Sequence, residues 1–150
     1  MWTPPDQMRL TNFTFDSSIE IGYGGRHRYL DLHNCFDWQT ITYFSEERRI
    51  KMTWIRSSGD WVQQDLPPAL VLEFRGVSRF AAWPRNPKMP LTEDSCLASA
   101  TFTPPEYGSD FERMFDGYRS DSEHITFLFM SGFGLKIWAG EVELICDRSV

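Results

Sequence analysis

Three histidines (His27, His33 and His124) and three cysteines (Cys35, Cys96 and Cys146) are the side chains that could hold zinc or supply a nucleophile. Their spacing forms no C-x-x-C, H-x-x-x-H or H-E-x-x-H ligand set, and no metal or other cofactor is expected. A Cys–His or Ser–His pair could still be assembled in three dimensions, because such partners need not be neighbours in sequence. His33 and Cys35 would share a face if a strand ran through them.

The stretch FLFMSGFGLKIWAGEV, Phe127–Val142, carries two closely spaced glycines, Gly132 and Gly134. A dinucleotide fingerprint needs a third glycine and a following helix, and a P-loop needs G-K-[ST]. Leu135-Lys136-Ile137-Trp138 continues instead as a strand, so SGFG reads as a hairpin turn whose glycines can adopt positive φ. Nor is it a nucleophile elbow, which needs a glycine two residues to each side of the serine.

The segment EYGSDFERMFDGYRSDSEH offers Glu106, Asp110, Glu112, Asp116, Asp121 and Glu123 without the register of a calcium loop. It reads as an exposed acidic surface able to meet a basic protein, where charge steers encounter. Neighbouring acids at Glu46-Glu47 and Glu93-Asp94 read as surface charge, since a glycosidase pair is defined by distance across a cleft. WPRNPKMP contains P-x-x-P but is expected to carry the chain from one sheet to another. Of the six tryptophans, Trp38, Trp54 and Trp138 fall in strands and read as core. Trp61 and Trp83 stand at loop edges, where the residue type favours interfaces.

The elements that must position these residues are mostly strands. FDWQTITYFSEERRIKMTWIR, Phe36–Arg56, alternates with period two on either side of a charged break and predicts a hairpin, with Phe36, Trp38, Thr40, Thr42 and Phe44 on one face and Ile50, Met52, Trp54 and Arg56 on one face of its partner. ALVLEFRGVSRFAAW reads as one long or two broken strands, with Gly76 at a bulge or turn. Shorter candidates are Asn12–Phe15, Ile19–Tyr23, Tyr29–His33 and Cys96–Thr103, and a closing hairpin pairs Ile125–Met130 with Leu135–Cys146. One helix is predicted at Ser109–Tyr118, where Ser109 and Glu112 form a capping box and Phe111, Met114, Phe115 and Tyr118 share a face. With eight or nine strands and this one short helix, the chain reads as a single mainly antiparallel all-β domain over residues 1–150, a β-sandwich or partly open barrel.

Composition sets the remaining bounds. At 41% hydrophobic and 15% aromatic the 150 residues can bury a core. The net charge of −6 disfavours a nucleic-acid partner. Residues 76–150 carry 7 basic and 11 acidic side chains, so most of the negative excess lies there. No basic leader with a long apolar run and no apolar window long enough to span a bilayer is present, so no membrane association is expected. Three widely spaced cysteines fit thiols in a reducing compartment, and the cytoplasm is expected.

WIRSSGDWVQQDLPPALVLEFRGVSRFAAWPRNPKMPLTEDSCL, taken with DSEHITFLFMSGFGLKIWA, resembles small single-domain bacterial proteins of the kind that includes immunity proteins of toxin systems. The resemblance runs from Trp54 to Ala139 and brings no catalytic motif or residue role; it implies a bacterial protein that works by binding. The expected function is therefore non-enzymatic: neutralising a basic toxin, or joining another protein, by steric occlusion. The competing readings are a small-ligand or enzymatic barrel with an aromatic pocket and a homo-oligomeric structural protein joined across a two-fold axis.

Overall fold

A computed structural model describes residues 8–23, 28–103 and 124–146. The predicted helix at Ser109–Tyr118 and the acidic candidates Asp110, Glu112, Asp116, Asp121 and Glu123 lie outside these residues. Twelve strands are described: β1 Arg9–Thr11, β2 Phe13–Phe15, β3 Glu20–Tyr23, β4 Tyr29–Asp31, β5 Phe36–Phe44, β6 Arg49–Arg56, β7 Ala69–Arg75, β8 Arg79–Trp83, β9 Leu97–Thr103, β10 His124–Phe129, β11 Gly134–Trp138 and β12 Glu141–Cys146. This exceeds the eight or nine expected, because the stretch Leu135–Cys146 divides into two strands and Arg9–Thr11, outside every predicted stretch, forms β1. A single 3₁₀ turn, Leu91–Ser95, precedes β9. No helix among the described residues is long and apolar enough to cross a membrane.

The fold is an all-β sandwich. A five-stranded sheet in the order β1-β12-β7-β6-β5 faces a four-stranded antiparallel sheet ordered β8-β11-β10-β9, and a three-stranded sheet β2-β3-β4 closes one side. Only β1 runs parallel to its neighbour in the five-stranded sheet, with Arg9 opposite Glu141. Alternation places Ile50, Met52 and Trp54 of β6 on the inner face, each fully buried, against Ile125, Phe127 and Phe129 of β10. Trp54 and Phe74 meet the Phe127 ring at 6.1 and 6.2 Å. Burying each such side chain contributes about 1.5–3 kcal/mol, and these contacts lock the two sheets face to face. The third sheet is tied to the edge of β9 by the Ala100 amide, which donates to Ser18 O at 2.6 Å, and by Phe15 stacked on Phe102.

The β5–β6 hairpin forms as its alternation predicts, with one correction. The register slips between Trp38 and Thr40, and this bulge at Gln39 reverses the pleat. Thr40, Thr42 and Phe44 therefore stand on the outer face, opposite Thr53, Lys51 and Arg49, where the Arg49 guanidinium lies 4.1 Å over the Phe44 ring. Ile41 takes the inward position opposite Met52. The same outer face holds a row of cross-strand ion pairs, Arg49–Glu73 at 2.8 Å, Arg75–Glu143 at 2.5 Å and Arg9–Glu141 at 2.8 Å.

The stretch Leu135–Cys146 divides at Ala139-Gly140 into two strands of different sheets. The Gly140 amide donates to Arg75 O and Gly76 O at 3.0 and 3.2 Å, and Gly76, at φ +65°, turns the chain from β7 across to β8 at the same corner. WPRNPKMP is also corrected: it does not pass between sheets. It joins β8 to the 3₁₀ turn and β9, the two edges of one sheet, and crosses the end of the β10–β11 hairpin on the way.

Candidate functional site

SGFG is that hairpin end. Gly132 sits at φ +87°, its amide donating to Phe129 O at 2.9 Å. Gly134 is already the first residue of β11, opposite Leu128 on one side and Trp83 on the other. The crossing loop seals the turn: Asn86 N donates to Ser131 O at 2.7 Å. Arg85 Nε donates to Asp94 Oδ1 at 2.7 Å, and its Nη2 donates to Met89 O at 2.8 Å. Every backbone group used here serves the fold, and no helix among the described residues aims its amides at this turn.

Trp61 is the more exposed of the two described candidates, with 69% of its surface accessible. Its loop, between β6 and β7, is pinned from inside by buried Val62 and Leu66 and by Arg56, whose Nη1 donates to Gln64 O and Leu66 O at 2.8 and 2.7 Å. The indole Nε1–H donates to Asn34 O at 2.8 Å. Its ring lies so close over Gly59 that a methyl group there would overlap it. Asn34 is held in turn by Asp31: Oδ1 accepts from His33 N and Asn34 N at 2.9 and 2.8 Å, and Oδ2 accepts from Asn34 Nδ2 at 2.8 Å. This Asx arrangement ends β4. Sequence reasoning missed Asp31, Asn34 and Gly59, although DLHN and SSGDW carry the turn chemistry that would have pointed to them.

The other aromatic candidate, Trp83, is half-buried at the end of β8 and belongs to a different sheet and loop from Trp61. On the face of that sheet turned away from the core, β10 and β11 place His124, Lys136 and Trp138, exposed to 0, 1 and 5%. Arg79 lies 3.9 Å over the Trp138 ring. The acidic candidates lie outside the described residues. The strand ends that flank them, Thr103 and His124, are paired directly opposite each other, so residues 104–123, with six acidic and two basic side chains, connect two adjacent points at one end of the sheet.

One histidine–cysteine pair is assembled in three dimensions. His33 lies in the turn after β4, not on a strand with Cys35, and its Nδ1 is 2.6 Å from Leu97 O and 3.5 Å from Cys96 Sγ. A carbonyl only accepts, so Nδ1 carries a proton and has no lone pair to take one from the thiol. Burial pushes the Cys96 thiol up, and Glu93, Asp37 and Asp31 add to that; Cys35 is raised by burial and then by Asp31. Neither thiol is shifted toward the thiolate, the form that acts as a nucleophile. No group of three or more His, Cys, Asp or Glu side chains among the described residues could hold a metal ion. An open groove of about 490 Å³ runs between the third sheet and β9, lined by Leu10, Phe15, Ala100 and Phe102 and by polar groups that include Asp16 and Thr101.

The class of protein defined by this architecture is an all-β sandwich of one five-stranded and one four-stranded sheet with a small third sheet at its side. No family model, curated protein or solved structure matches the chain.

Proposed function

We propose that the protein is a non-enzymatic binding domain that meets a protein partner through the Trp61 loop. The observation that carries the reading is the indole itself: largely exposed, yet oriented by a hydrogen bond to Asn34 O and seated on Gly59. A tryptophan ordered before binding presents a large apolar surface at little further entropy cost, and tryptophan is among the residue types that dominate interface energetics. The upward push of burial on the Cys96 thiol weighs against a thiolate mechanism at that place. The acidic residues between Thr103 and His124 suit a basic partner, and neutralisation of a bacterial toxin, by occluding its working surface, is the form of binding that the resemblance suggests.

The test begins with the genes beside this one. The product of an adjacent toxin-like reading frame, purified and titrated into the protein by calorimetry, is expected to form a complex that weakens with added salt. Trp61→Ala is expected to weaken it by about 30-fold or more, about 2 kcal/mol, with the thermal melt unchanged. Equal affinity of Trp61→Ala and the wild type would refute the placement, and metabolic neighbours with no measurable complex would refute the immunity reading.

The groove beside Phe15 and Phe102 supports a second reading, an apolar small-ligand site. Its openness to solvent favours this less than an enclosed cavity would.

A further inference from the structure

The outer strands of the sheets are not equally protected. β1 is three residues long and carries Arg9, and β8 carries Arg79. β9 is engaged at Ala100 by Ser18. Short length, charge and coverage are the usual means of keeping an edge from pairing with another chain. β5 has nine residues and lacks most of this. Its first three are held against the four-stranded sheet, with Trp38 4.5 Å from the Phe129 ring. Beyond the Gln39 bulge, Gln39-Thr40-Ile41-Thr42-Tyr43-Phe44 contains no charge, proline or glycine, and among the described residues its backbone hydrogen bonds go only to β6. Tyr43, 44% exposed, and Phe80, 37% exposed, pack together at 4.8 Å beside this edge.

We infer that Gln39–Phe44 is a homodimerisation edge, on which a second copy of this chain lays its own β5 antiparallel about a two-fold axis. Two five-stranded sheets would then become one of ten. The occupant follows from the chemistry of the edge. A basic partner would find no carboxylate between Gln39 and Phe44. A second copy meets its own uncharged surface without like-charge repulsion, places β-branched threonines across from one another on the outer face, and brings each Tyr43–Phe80 pair under cover of the other protomer. A two-fold contact also closes on itself, so pairing stops at the dimer. The inference is independent of the Trp61 loop, which lies between other strands.

Sedimentation velocity under reducing conditions, from micromolar to millimolar protein, tests it together with amide hydrogen exchange. The wild type is expected to move from 17.6 kDa toward twice that mass, with protection of residues 39–44 rising in step. Thr42→Lys, at an exposed outer-face position, is expected to keep the wild-type melt and stay monomeric throughout. A wild type that remains monomeric at the highest concentration would overturn the inference, as would a dimer that persists in Thr42→Lys without added protection at 39–44. Should the variant fail to fold, the concentration dependence of protection in the wild type decides alone.

Discussion

Replacing Gly132 by alanine isolates the conformation that the β10–β11 turn demands. The residue is held at φ +87° by its own amide bond to Phe129 O, and the neighbouring Ser131 carbonyl is held by Asn86 N. A Cβ at this position stands 3.4 Å from Asn86 N and 3.6 Å from Asn86 Cβ, which is ordinary contact. The penalty is therefore conformational and not steric. Holding a non-glycine residue in such a region costs about 1–3 kcal/mol. For a chain of this length a cost of about 2 kcal/mol lowers Tm by roughly 4–8 °C. Differential scanning calorimetry of the alanine, asparagine and valine variants tests the assignment. Asparagine is bulkier than alanine but tolerates positive φ, so the order of Tm is expected to be glycine, asparagine, alanine, valine. Asparagine falling below alanine would mean that space beside Asn86 controls the site, and an alanine variant melting with the wild type would refute the conformational argument outright.

Two further outcomes follow from side-chain geometry. Asp31→Ala removes three hydrogen bonds that shape the turn presenting Asn34. It is expected to cost about 1–3 kcal/mol and to shift the Trp61 indole Nε1–H resonance in NMR spectra, whereas an unmoved resonance would break the proposed chain from Asp31 to Trp61. Stability should also fall with acid. The hydrogen bond from Arg85 lowers the Asp94 carboxyl below its ordinary value, with help from Ser131, and that from Arg9 lowers Glu141, with help from Thr11. Both carboxyls bind protons more weakly folded than unfolded, so their contribution is present above the ordinary carboxylate range and is lost as pH falls below about 4. Urea midpoints measured down the pH scale should decline there, and less steeply in Arg85→Ala; a flat profile in the wild type would contradict the assignment.

Much of the fold was legible where the signal is local. FDWQTITYF and RIKMTWIR alternate and face each other across a short charged loop, so their pairing needed little beyond the pleat. The Gln39 bulge was not legible, because no glycine marks it and the alternation of residue types runs on unbroken; only the register against β6 shows which half faces inward. LKIWAGEVELIC read as one strand because Ala139-Gly140 also fits a strand interior. It is broken by the bonds of Gly140 to Arg75 and Gly76, far away in sequence. For the candidate site, exposure of Trp61 could be guessed from its loop setting, whereas its orientation depends on a carbonyl of Asn34 that only folding brings near.

The sequence by itself determined that this chain is an all-β protein with turns at SEERR and SGFG, since alternation and turn chemistry act over a few residues. Tertiary structure alone decided which sheet each strand joins, the parallel seating of β1 on β12, and the assembly of Asp31, Asn34, Gly59 and Trp61 into one presented surface. The physical reason is that an amphipathic strand satisfies its apolar face and its backbone equally well in many partnerships. The choice among them rests on contacts such as Arg9 with Glu141, 132 residues apart, and on the fit of Trp54, Phe74 and Phe127 in a shared core.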